Sequence, residues 1–177
     1  MRFPDSLTLP SAENTFLGAP LAQSWSDLCL WEHFLNVYMI RSLIELGTWR
    51  GGMAIYLSLQ GATRGFNVTT IDSRPTFQVR AFTERFGAVS LEHDVFDLSF
   101  MQNLIDVSRR PRMLFCDNGN KPREVREIAP LLERGDFVAV HDWNTEVGSQ
   151  DIPPAFEPVL LNECEATQSL TRFFILK

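Results

Sequence analysis

Five acidic residues recur where an apolar run gives way to a turn: Glu45, Asp72, Asp94, Asp117 and Asp142, the last preceded by His141. The intervals between the acids are 27, 22, 23 and 25 residues. One strand, one helix and two loops take about that length. The carboxylates therefore belong at the carboxyl ends of successive parallel strands, along the edge where open α/β sheets hold their ligands. Carboxylates in such a row accept hydrogen bonds from amino groups and diols, or ligate cations. An imidazole among them, with an unperturbed pKa near ~6.5, is the natural general base. Any one of these acids could equally be a turn residue or a helix cap, so the shared register carries the reading.

The first acid sits in SLIELGTWRGG, Ser42 to Gly52. The apolar Leu43-Ile44 meets Glu45, and a glycine turn from Gly47 to Gly52 leads into the helix-like MAIYLSLQ. Such a turn aims backbone N–H groups and a helix start at one point, where a ligand's polar end docks. GTWRGG lacks the second glycine of a dinucleotide fingerprint, and no GxxxxGK[ST] phosphate loop is present. Glu45 beside the turn would repel a pyrophosphate and suits a cationic amino group instead. Asp72 suits a ribose diol, and Asp94 suits an adenine amino group. An amino-acid nucleoside with a sulfonium, S-adenosylmethionine (SAM), meets all three demands.

The elements that must position these groups follow in order. Residues 1–24, with Pro4, Pro10, Gly18 and Pro20, read as an irregular arm ending over the ligand. Ser26 or Asp27 is placed to cap a leading helix that runs to about Ile40 within residues 25–41. Strands are expected at 42–46, 66–71, 89–92, 112–116 and 137–140, with helices at about 51–61, 75–86, 98–108 and 122–133 between them. The tail reads as a β-hairpin, 158–162 with 170–176, joined by the polar 163–169. No repeat or linker divides the chain, so residues 1–177 read as one domain.

Composition excludes some classes. A net charge of -6 and a pI near 5.1 argue against a general nucleic-acid binder. Cys29, Cys116 and Cys164 are odd in number and show no metal spacing, which fits reduced, mostly buried thiols in a cytoplasmic setting. The N-terminus lacks a signal-peptide pattern, and LCLWEHFLNVYMI is too short and too polar to span a bilayer. The face of that helix reads as core or as a homodimer contact. His33 and His93 have no companion at metal spacing and read as structural; Lys121, entering a helix after the DNGN turn, could approach the substrate or a SAM carboxylate, but a lysine so placed is more often solvated. Trp49 and Trp143 flank the site and would stack on adenine or acceptor, or simply pack their loops.

At LIELGTWRGGMAIYLS the residues resemble motif I of class I SAM-dependent methyltransferases. More narrowly, the chain is similar to the cephalosporin hydroxylase-like and rhamnosyl O-methyltransferase-like group, through TFLGAPLAQSWSDLCLWEHFL, TIDSRP, LFCDNGNK and APLLERGDFVAVHDW. The resemblance implies a Rossmann-like, seven-stranded, mostly parallel sheet, with helices on both faces and a C-terminal hairpin antiparallel to the rest. It implies that Glu45, Gly47, Thr48 and Gly51 shape the methionine pocket, with Asp117 bordering it. Asp72 would hold the ribose, and Asp94 with Val95 the adenine. It also implies a divalent metal on Asp117 and Asp142. The third ligand position, often acidic in relatives, is His141 here, whereas hard Mg²⁺ prefers oxygen.

The expected activity is methyl transfer (EC 2.1.1 type) to the hydroxyl of a small-molecule acceptor, a sugar or secondary metabolite. His141 would act as base, with Asp117 or Asp142 orienting it or holding the metal. The competing reading is a SAM-binding module without transferase activity, serving regulation or a partner. A hydroxylation-linked enzyme on the same fold ranks third, because the sequence gives no iron facial triad of clear spacing.

Overall fold

The computed structural model describes residues 4–11, 14–75 and 77–177. The arm folds into a one-turn helix α1 (Asp5–Thr8) and a small antiparallel ribbon, β1 (Thr15–Phe16) with β2 (Ala19–Pro20). Residues 1–3, 12 and 13 of the expected arm lie outside the described residues. The chain continues through α2 (Trp25–Val37), β3 (Ser42–Leu46), α3 (Gly52–Arg64) and β4 (Asn67–Asp72). Next come α4 (Phe77–Arg85), β5 (Val89–Glu92), α5 (Leu98–Val107), β6 (Arg112–Cys116) and α6 (Lys121–Glu127). It closes with β7 (Phe137–Val140), β8 (Phe156–Val159), α7 (Leu161–Thr167) and β9 (Arg172–Leu176).

Seven of these strands form one sheet in the order β5-β4-β3-β6-β7-β9-β8. The first five run parallel, each paired in register with its neighbours. Only β9 is reversed: it pairs antiparallel with both β7 and β8, so β8 runs with the parallel strands at the outer edge. The expected C-terminal antiparallel hairpin is thus present as β8 and β9, with β9 its reversed strand. Every residue of β3, β6 and β7 is buried, as strands covered on both faces must be.

Strand alternation sorts the core into two sets. Leu43, Met113, Phe115, Phe137 and Ala139 face α2 and α3, where Trp31 and Phe34 pack among Phe115, Phe137 and Phe173. Ile44, Leu46, Leu114, Cys116, Val138 and Val140 face α5 and α6 on the other side. Continuing the first set by one step along each strand gives Glu45, Asp117 and His141. These three therefore emerge on the face covered by α2.

Several expected boundaries move. Ser24, rather than Ser26 or Asp27, caps α2; its hydroxyl accepts from the Asp27 N–H at 3.1 Å, and the Asp27 carboxylate in turn accepts from the Ser24 N–H at 2.9 Å. The helix expected over 122–133 ends at Glu127 and gives way to a 3₁₀ turn at Ala129–Leu131, because Pro130 cannot continue the backbone ladder. Pro75 precedes α4 by two positions, with Thr76 between them outside the described residues. The polar stretch expected to join the hairpin is largely the helix α7, which turns the buried Cys164 inward. No helix among the described residues is long and apolar enough to cross a membrane.

Candidate functional site

The sheet reverses direction of growth beside β3, which is flanked by β4 on one side and β6 on the other. At the carboxyl ends of these strands lies a cavity of about 440 Å³ lined by Glu45, Gly47, Thr48, Asp72, Asp117, His141 and Asp142, with Gln23 and Trp49 at its border. That is within the range of small-molecule sites. Seven residues expected from the sequence thus converge there. Gly51 does not line it; it is the left-handed N-cap of α3. The cavity does not reach Asp94 or Val95: Asp94 accepts the Phe96 N–H at 2.9 Å in a turn, and Val95 is buried in the core.

Two glycines fix the walls. Gly47 has φ +94°, and a Cβ there would stand 2.7 Å from the Asp117 carbonyl oxygen, so only glycine lets β3 and the loop after β6 approach this closely. A Cβ on Gly52 would collide with the Pro20 carbonyl, which lays the arm against the start of α3. The arm thereby brings Gln23 to the cavity, where its amide donates to Asp117 Oδ2.

Glu45 is 1% exposed, and its Oε2 has no hydrogen-bond partner. Burial pushes its pKa up to about 8; Thr70 partly offsets this, while the charges of Asp117 and Asp72 add to it. A buried carboxyl with an unclaimed oxygen facing a cavity is built to receive a donor. Asp72 is fixed from behind by the Trp49 N–H on Oδ2 (3.1 Å) and the Arg74 N–H on Oδ1 (3.0 Å), which leaves a lone pair on each oxygen for a diol. Thr48 and Thr70 share a hydroxyl bond of 2.6 Å beneath the turn.

The other side of the cavity is a charge network. His141 Nδ1 stands 3.2 Å from Asp117 Oδ1 and 3.3 Å from Asp142 Oδ1. Its Nε2 faces Asp27 Oδ2 at 3.6 Å, beyond hydrogen-bond length but within charge attraction. Burial alone would lower the imidazole pKa, but Asp117, Asp142 and Asp27 together hold it well above the ordinary histidine value. An imidazolium has no lone pair to accept a proton, so the ring expected to be a general base is held in the wrong form for that task. Asp142 joins the cluster although alternation after β7 would turn it away: its φ of +59° ends the strand and swings the carboxylate back.

Lys121 corrects the expectation of a solvated lysine. It is 4% exposed, and its ammonium reaches Asp142 Oδ2 at 2.7 Å and Glu146 Oε2 at 3.1 Å. Gln23 and Glu146 are site residues that sequence spacing did not reveal; the one available signal for Glu146 is its place four residues beyond Asp142. Trp143 packs against Phe174 with Arg172 over its ring, inside an apolar hollow of about 300 Å³ away from the acids. Trp49 stands half-exposed at the cavity mouth. His93 lies against Phe100 and Asp97, as a structural histidine should.

Strand order, reversed β9 and ligand edge together define the Rossmann-like methyltransferase fold. The chain superposes on CmcI described with Mg and SAM, with a TM-score of 0.69 and 14% identity over 94% of this chain and 78% of that one. A CmcI structure with SAH (S-adenosylhomocysteine) gives 0.66 at 14% identity, covering 91% and 82%. MycE methyltransferase from the mycinamycin biosynthetic pathway, in complex with Mg, SAH and mycinamycin VI, gives 0.55 at 14% identity, covering 86% of this chain and 50% of that one. At these identities the likeness is one of fold. No family model and no curated sequence matches the chain.

The cavity's residues fit the S-adenosylmethionine expected from the sequence and fit Mg²⁺ poorly. For the donor there is an orphaned buried carboxyl at Glu45, an oriented Asp72, and a glycine turn that a Cβ would block. For a metal, Asp117, His141 and Asp142 do converge. One of the three atoms is nitrogen, however, and a lysine ammonium already stands on Asp142.

Proposed function

We propose that this chain binds S-adenosylmethionine and transfers its methyl group to a hydroxyl of a small-molecule acceptor. The observation that carries the reading is Glu45: buried, unsatisfied on one oxygen, and beside a glycine turn at the ligand edge. A pyrophosphate brings no donor and would keep the side chain neutral, whereas an amino-acid ammonium supplies the missing donor and draws the side chain to its ionised form. Asp72 takes the ribose hydroxyls. Asp94 and Val95, outside the cavity, are left as the adenine end only if the ligand extends past its rim. The CmcI and MycE structures, described with SAM or SAH and Mg, support the same ligand class.

When bound, the donor supplies an electrophilic methyl on a sulfonium; the chain must hold an acceptor oxygen in line with it. Asp117 and Asp142 border that position, and His141 orients them as a fixed cation. The acceptor's proton needs a carboxylate with a free oxygen. Glu146 offers one: its Oε2 binds Lys121, and the side chain is half-exposed at the cavity. No step is assigned to a metal.

Calorimetry with SAM and with SAH tests the donor site, and absence of binding overturns the proposal. Release of SAH from SAM over a panel of sugars and phenolic hydroxyls then tests transfer. The second reading, a binding module without transfer, is favoured by the enclosure of His141, which is 3% exposed with its Nδ1 set between Asp117 and Asp142. It predicts donor binding with no acceptor in the panel methylated.

A further inference from the structure

Lys121 opens α6 with its ammonium inside the cavity wall. An ammonium carries three N–H bonds, and three oxygens stand ready for them: Asp142 Oδ2 at 2.7 Å, the Asn118 carbonyl at 3.0 Å and Glu146 Oε2 at 3.1 Å. Asp117 Oδ1 lies beyond them at 3.6 Å. The remaining carboxylate oxygens are engaged as well. His141 Nδ1 stands between Asp117 Oδ1 and Asp142 Oδ1, and the Gln23 amide donates to Asp117 Oδ2. All four oxygens of the two aspartates face a fixed protein donor.

We infer that the Lys121 ammonium, seconded by the His141 ring, is the resident cation of this acidic edge, and that the chain holds Asp117 and Asp142 together without a divalent metal. The inference rests on reading the cavity as a methyl-donor site, and it departs from the Mg named for CmcI and MycE. Mg²⁺ demands near-octahedral oxygen ligands at about 2.0–2.1 Å. To obtain them here it must displace a buried ammonium from Asp142, or accept a unit positive charge beside itself in a site that also offers it an imidazole. The ammonium stabilises the same carboxylates at no cost in dehydrating a metal ion. With its three bonds used, Lys121 acts through its field and by holding Glu146 at the mouth.

Electron paramagnetic resonance of Mn²⁺, with calorimetry of Mg²⁺ alongside, tests this on the full chain with and without SAH. The wild type should leave the Mn²⁺ signal that of the free aqueous ion up to about 1 mM. Lys121→Met, which keeps the stem and removes the charge, should bind Mn²⁺ at least about a hundredfold more tightly. Dialysis against EDTA should leave the SAH affinity of the wild type unchanged. One Mn²⁺ bound to the wild type at micromolar concentration, and lost in Asp117→Asn, overturns the inference. Should Lys121→Met fail to fold by circular dichroism, the wild-type and Asp117→Asn titrations decide alone. A wild type that binds no SAH refutes the donor reading instead, and the metal result stands apart from it.

Discussion

Glu45→Gln should make the ligand-free protein more stable and bind its ligand less well, by amounts the structure sets. The side chain is 1% exposed, and burial raises its pKa from the ordinary 4.5 to about 8. At ~1.36 kcal/mol per pH unit, keeping it ionised costs the fold up to about 5 kcal/mol, of which relaxation and entry of water leave roughly 2–4. The native value lies above the unfolded one. The stability contributed by the neutral carboxyl is therefore fully present below the unfolded value and is lost as pH rises through about 8. Glutamine cannot ionise. Variant and wild type should melt close together near pH 5 and separate above pH 8 by about 5–15 °C, the variant being the more stable.

The same group controls binding. At pH 7 a carboxyl with a pKa of about 8 is roughly nine-tenths protonated, so pairing it with an ammonium should release close to one proton. SAH affinity should rise nearly tenfold per pH unit between about pH 6 and 7.5 and then flatten. Calorimetry in buffers of different ionisation enthalpy reads that proton directly. In Glu45→Gln the release should vanish and the affinity fall about 10- to 100-fold. A variant that melts like the wild type near pH 8.5, or SAH binding that releases no proton, would refute the reasoning.

Asp72→Ala removes the acceptor of the Trp49 and Arg74 N–H groups as well as the proposed ribose contact, and should weaken SAH by about 10- to 100-fold in calorimetry. Asp136→Ala strips the fully buried partner of Arg112 (3.1 Å) at the opposite edge of the sheet; urea denaturation should show a loss of about 3–5 kcal/mol with SAH affinity unchanged in what remains folded. Burial alone would raise the Asp27 pKa, but His141, Ser169 and Ser24 hold it well below the usual range. Its contribution is thus present at neutral pH and lost only as pH falls through the native value. Asp27→Asn should cost about 2–3 kcal/mol near pH 7, with the gap narrowing in acid, as followed by melts across pH.

What the sequence made legible has a common physical origin. Strands buried on both faces are largely apolar, so β3, β6 and β7 announce themselves, and the ligand edge is marked by the acid near the end of β3 and by the first polar residue after β6 and β7. That logic found Glu45, Asp117 and His141, and the even intervals between the acids pointed to parallel strands. It had no hold on side chains whose burial depends on distant partners. Lys121 is buried because Asp142 and Glu146 neutralise it from another loop, and Asp27 because its second oxygen receives the Thr171 N–H at 3.0 Å and the Ser169 hydroxyl at 2.5 Å from the chain's far end. The helix α7 was hidden for a related reason: with Cys164 its only fully buried residue, it offers no apolar stripe.

The backbone at this edge shows what the convergence requires. Trp49 (φ +46°), Asp142 (φ +59°) and Asn144 (φ +64°) are left-handed non-glycine residues, and all lie at the loops around the cavity or beside it. Each such conformation costs of order 1–3 kcal/mol, least for Asp and Asn. At 142 the strain has an identifiable return, because extended backbone would send the carboxylate to the α5 and α6 side, away from Asp117. Asp142→Asn tests this: it keeps the tolerance for positive φ and removes the charge from both Lys121 and His141. Because the geometry survives while the pairing does not, the pKa of His141 should fall, followed by NMR of its ring protons. In Asp142→Ala the left-handed backbone is also opposed, so stability should drop by about 1–2 kcal/mol beyond the asparagine variant, read as a lower melting temperature. Equal melting of the two would mean that the left-handed turn at 142 is held by the surrounding loop alone, and that the aspartate is there only for its charge.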